Sequence, residues 1–127
     1  YESSIGTYES LLKLKSARGR THALALAGIA EAYRISGNLE KATAFYQRIF
    51  NMYRAYPDLV ASAYWKSAQT FESMEKRVEA VRTLEEMLSQ PELAHFLEWK
   101  LASQSLPVWK AQIADEVTQE HVEASND

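Results

Sequence analysis

The sequence predicts an all-α chain built as a stack of antiparallel helix hairpins, an α-solenoid. Three observations predict it. With 4 Gly and 3 Pro in 127 residues, and Ala, Leu, Glu and Ser abundant, the composition suits helices and lacks the turns a sandwich or barrel needs. Shifted by 38 residues the chain repeats itself, Ala30, Tyr33, Ala42 and Tyr46 falling on Ala68, Phe71, Ala80 and Leu84. Trp65-Lys66-Ser67-Ala68 returns 34 residues later as Trp99-Lys100-Leu101-Ala102. The two periods differ by four residues, about one helical turn.

Each unit reads as two helices. A partial unit over 1–17 places Ser4, Tyr8, Leu11 and Leu12 on Ala42, Tyr46, Ile49 and Phe50. In the first full unit, about 21–56, Leu26, Ile29, Ala30 and Tyr33 recur at three-and-four spacing, which predicts a helix over THALALAGIAEAYRI. Ser36-Gly37-Asn38 breaks it, Gly suiting a left-handed cap and Asn a turn. A second helix, LEKATAFYQRIFNMYRAY, carries Leu39, Ala42, Phe45, Tyr46 and Ile49 on one face and is expected to stop at Pro57-Asp58. The second full unit, 58–90, repeats the design in LVASAYWKSAQTFESM and VEAVRTLEEMLSQ, with a break near Glu75-Lys76. A partial unit over 92–105, ELAHFLEWKLASQ, is expected to end at Leu106-Pro107, and 107–127 to form a short capping helix and a polar, frayed tail. Small residues at 30, 42, 68 and 80 allow two helices to cross closely. No hairpin buries such a face alone, so the units must stack.

These residues resemble the tetratricopeptide repeat (TPR) family. Leu26, Ile29, Ala30, Tyr33, Ala42 and Tyr46 carry the pattern in one unit, and Tyr64, Ala68, Phe71, Ala80 and Leu84 in the next, with Pro57 and Pro91 closing them. AYRISGNLEKA is the best local match. Ser67, Glu75, Ile49 and Met87 depart from it, Glu75 standing where the turn glycine belongs, and the third copy keeps only Leu101-Ala102. The resemblance covers residues 1 to about 105 and implies a right-handed superhelix that binds other proteins. YRAYPDLVASAYWKSAQTF further resembles bacterial cell-envelope members of the family, those associated with the Tol-Pal system or with barrel assembly. That implies the periplasm or envelope over the cytoplasm.

Chemistry is sparse. There is no Cys, and His22, His95 and His121 are scattered without metal-ligand spacing, His95 being expected in a helix beside Phe96. Glu85-Glu86 and Asp115-Glu116 are adjacent, so on a helix their side chains diverge by about 100° and form no acid–base couple. The glycines are isolated and cradle no phosphate. No catalytic residue, metal or cofactor is expected. The formal charge of -3 argues against nucleic acid, and KLKSARGR reads as a solvated helix end. No apolar run reaches the roughly 20 residues of a membrane span. The chain opens on Tyr1 rather than Met, which reads as a piece of a longer protein.

In TPR stacks the first helices line a concave groove. The resemblance assigns to it Leu24, Ala27, Glu31 and Arg34, then Ser62, Trp65, Gln69 and Glu72, then Phe96, Trp99 and Ser103. Trp65 and Trp99 have two readings: anchors for an extended or helical partner segment, or filler between neighbouring first helices. The places where relatives carry a Lys/Asn carboxylate clamp hold Ala27, Glu31, Trp65 and Gln69, so a bound peptide is expected to be held mainly by apolar and aromatic contacts. The function expected is a non-catalytic scaffold binding a protein or peptide partner. The alternatives are self-association through residues 1–17, where Ile5, Tyr8, Leu11 and Leu12 lack a partner helix, or a regulatory arm of a larger enzyme. A small-molecule pocket at Trp65, Trp99 and Tyr64 is a third.

Overall fold

The computed structural model describes residues 5, 6, 9 and 19–126. Most of the partial unit expected over 1–17, including Tyr8, Leu11 and Leu12, therefore lies outside the described residues. Among those described, the chain is all-helical with no strand: α1 (Arg20–Ile35), α2 (Leu39–Met52), α3 (Pro57–Ser73), α4 (Arg77–Leu88), a 3-10 turn (Pro91–Leu93) and α5 (Leu97–Asn126). Each helix packs on the next, and in addition α3 touches both α1 and α5.

The small residues sit where the helices cross. Ala30, Ala42, Ala68, Ala80 and Ala102 are all fully buried, and a side chain that short permits neighbouring helices to approach closely. Tyr46, Ile49, Tyr64, Leu84 and Met87 fill the space beside them and join one continuous core. Burying each such side chain contributes about 1.5–3 kcal/mol. The two hairpins meet where Phe50 of α2 stacks on Tyr64 of α3, centroids 3.9 Å apart. Tyr64 is fully buried, and its hydroxyl accepts a 2.9 Å hydrogen bond from Gln90 Nε2.

The turns explain the repeat. Between α1 and α2 the Asn38 amide donates to Tyr33 O at 2.8 Å, and Gly37 takes φ 89°. Between α3 and α4 the Lys76 amide donates to Phe71 O at 2.9 Å, and Glu75 takes φ 61°. Both are left-handed helix ends, one made by glycine and one forced on a glutamate. Gly19, before α1, has φ 61° and a second constraint: a Cβ there would stand 2.2 Å from the Tyr56 hydroxyl. Beside it Arg20 donates to the Asp58 carboxylate through both terminal guanidinium nitrogens, one at 3.0 Å. The starts of α1 and α3, 38 residues apart, are thus tied directly.

Four boundaries differ from expectation. Helix α2 stops at Met52, and Pro57 opens α3 instead of closing α2, since the missing N–H of proline costs nothing in a helix's first turn. Pro91 likewise opens the 3-10 turn. His95 lies in the exposed turn before α5, outside any helix. The break expected at Leu106-Pro107 is absent. Helix α5 runs through Pro107 to Asn126, with no separate capping helix among the described residues. Pro107 is exposed, so water can serve the Ser103 carbonyl it leaves without a donor.

Candidate functional site

Helices α1 and α3 lie side by side and leave a cleft of about 410 Å³ lined by Glu31, Arg34, Leu39, Lys66, Gln69, Thr70 and Ser73. The lining follows from spacing: Lys66, Gln69, Thr70 and Ser73 recur at three, four and seven residues and share one face of α3. The cleft brings together three of the residues named from sequence, Glu31, Arg34 and Gln69. Six of its seven lining residues are polar or charged, with Leu39 the apolar one.

Glu31 is committed within the protein. Its carboxylate accepts from Arg34, with Nε at 3.1 Å, and from the Tyr46 hydroxyl at 2.8 Å. Arg34 first, then Tyr46, holds its pKa down to about 2 against the opposing effect of partial burial. The Tyr46 hydroxyl is pushed well above its usual range, by burial first and then by Glu31. This couples α1 to α2 and fixes the guanidinium of Arg34 at the cleft mouth. The hydroxyls of Thr70 and Ser73 turn back onto their own helix, donating to Lys66 O at 2.7 Å and Gln69 O at 3.0 Å. A ligand therefore meets chiefly the Lys66 ammonium, the Gln69 amide and the outer edge of Arg34.

The other sequence-assigned residues divide between two further places. Trp65 is half-buried on α3 and lies parallel to Trp109 of α5, planes within 2° and centroids 6.1 Å apart. Glu72 sits 3.9 Å from Arg77. Phe96 and Trp99 are half-buried against the core, Phe96 with His95 4.0 Å from its ring; Leu24 and Ser103 are exposed, away from the cleft. The indole facing Trp65 is thus Trp109 rather than Trp99. Trp65 stands in the middle of α3, whereas the loop after Pro91 delays α5 so that Trp99 falls in its first turn.

Three residues are not marked out by the sequence reading. Trp109-Lys110 is a third Trp-Lys pair, hidden because Pro107 reads as a helix end. Lys66 was passed over as the neighbour of Trp65, although its spacing from Gln69 and Ser73 placed it in the cleft. His22 Nδ1 lies 2.5 Å from the Tyr53 hydroxyl on the α1–α2 seam, and among the described residues no group of His, Asp and Glu could hold a metal. No helix among them is long and apolar enough to cross a membrane.

No family model, curated protein or solved structure matches the chain.

Proposed function

We propose that the chain is a non-catalytic interaction scaffold of the tetratricopeptide type, binding a partner segment along the groove formed by its first helices. Three features support this reading. The two hairpins share a 38-residue spacing in sequence, in buried alanines and in turn hydrogen bonds. The contacts of α3 with both α1 and α5 are compatible with such stacking of hairpins. The α1–α3 cleft carries the reading: its acid Glu31 is already paired with Arg34 and hydrogen-bonded by Tyr46, which leaves the Lys66 ammonium and the Gln69 amide for a ligand. Such a lining suits the acidic side chains and carbonyls of an extended segment. A cell-envelope setting rests on the resemblance around Tyr56-Pro57 alone.

The test is a peptide library displayed on phage and selected against the intact chain. Selected peptides are expected to weaken roughly tenfold or more on K66E/Q69A and to be indifferent to Arg48→Glu on α2. Absence of any enriched peptide, or peptides insensitive to K66E/Q69A, overturns the reading.

A further inference from the structure

Between Pro107 and Val122 every residue of α5 is exposed except Trp109 and Ile113. A helix this solvated is held at a few points. Trp109 lies flat along Trp65 of α3. Beyond it Lys110 Nζ is 3.2 Å from Glu85, and Glu116 pairs with Arg77, both from α4. Lys110 and Glu116 are about half exposed, so these pairs hold weakly and are screened by salt. At the near end Pro107 removes one backbone hydrogen bond of the helix.

The surface underneath is more definite than what covers it. Trp65 offers an aromatic face, Glu85 an acid at the C-terminal end of α4, and Arg77 a base at its N-terminal end. The three accept a helix in one direction only, antiparallel to α4. Reversed, the incoming lysine meets Arg77 and the incoming acid meets Glu85, and like charges repel.

We propose that Trp65, Arg77 and Glu85 form a helix-docking seat, occupied reversibly by the chain's own segment 107–122 and open to a partner amphipathic helix of the same order. That order is an aromatic, a lysine beside it, an aliphatic residue four after the aromatic and an acid seven after it, as Trp109, Lys110, Ile113 and Glu116 stand. This goes beyond the binding reading above, since the seat shares no residue with the α1–α3 cleft. The resident segment lowers a partner's apparent affinity by the fraction of time it spends in place, so weakening it must strengthen the partner.

The probe is a fluorescent peptide of residues 105–122, titrated by anisotropy into the full chain. Binding is expected to be roughly tenfold tighter to the Trp109→Ala chain than to wild type. Adding Arg77→Glu is expected to remove that gain, and a peptide carrying K110E/E116K to recover it on an R77E/E85K chain. If circular dichroism shows that Trp109→Ala has lost helix elsewhere, the K110E/E116K chain, which keeps both indoles, takes its place with the same expectation. Equal binding to the wild-type and weakened chains, indifference to Arg77→Glu, or no binding at all overturns the seat. A failed titration beside cleft-dependent phage peptides removes this inference and leaves the binding reading standing. The opposite pair of results removes the cleft and leaves the seat.

Discussion

The turns at Ser36–Asn38 and Met74–Lys76 have the same backbone and different residues. Each sends three amides back to the preceding helix, at positions 36, 37 and 38 in one and 74, 75 and 76 in the other. The first has glycine at its left-handed position and Asn38 capping α2 through its side chain, at 3.4 Å from the Lys41 amide. The second has Glu75 in the left-handed region and Lys76, which cannot cap. Where local preference and stacking disagree, stacking has won. The helices on either side, through Ala68, Ala80 and Tyr64, fix how the chain must turn, and the turn residues adopt the conformation regardless. The first hairpin is locally consistent; the second is held by its neighbours.

The largest effect should come from removing what holds it. Tyr64→Ala deletes the ring that stacks on Phe50 and the acceptor of Gln90, and is expected to lower stability by about 3–5 kcal/mol in urea denaturation. Retention of the wild-type midpoint would show that the hairpins do not depend on this contact. Next come the left-handed positions, where opposite signs are expected. Gly37→Ala should destabilise by about 1 kcal/mol through backbone strain alone, since an added Cβ meets nothing within 4 Å. Glu75→Gly should stabilise by roughly the same amount. Equal signs would break the comparison. The caps are smaller: Asn38→Ala is expected to cost about 0.5–1 kcal/mol and Lys76→Asn to gain up to about that much, read from thermal midpoints.

The last difference concerns acid. Glu31 has a folded pKa near 2 against an ordinary 4.5, while the place 38 residues later holds Gln69, which does not titrate. A lowered carboxylate pKa stabilises the folded state above the ordinary value, and that stability is lost as pH falls from about 4.5 towards 2. Glu31→Gln is expected to flatten the fall of the melting temperature across that window. An unchanged slope would mean that Glu31 is not linked to folding.

Much of the fold was legible because it rests on residues with few alternatives. Alanines at 30, 42, 68 and 80 are the small residues expected at close helix approaches, and all four are fully buried. The cleft was half legible: Glu31, Arg34 and Gln69 follow from the helix face, but that Tyr46 and Arg34 would commit Glu31 internally depends on distances no spacing reveals. The same holds for Ser67, noted as a departure from the apolar pattern, whose hydroxyl is fully buried without a partner. Helix α5 was the least legible part. Proline at 107 reads as a stop, yet an exposed proline gives up a single hydrogen bond, and the Trp109 stack with the Arg77 and Glu85 pairs lies beyond it. A short-range signal was overruled by contacts with helices 20 to 45 residues away in sequence.

The most direct measurement is amide hydrogen exchange at Asn38 and Lys76. If the second hairpin repeats the first, both amides are protected to a comparable degree, each donating to the carbonyl five residues before it. If Lys76 exchanges at the rate of an unfolded peptide while Asn38 is protected, the second turn does not close, and the stacked repeat that builds the cleft is not the structure of this chain.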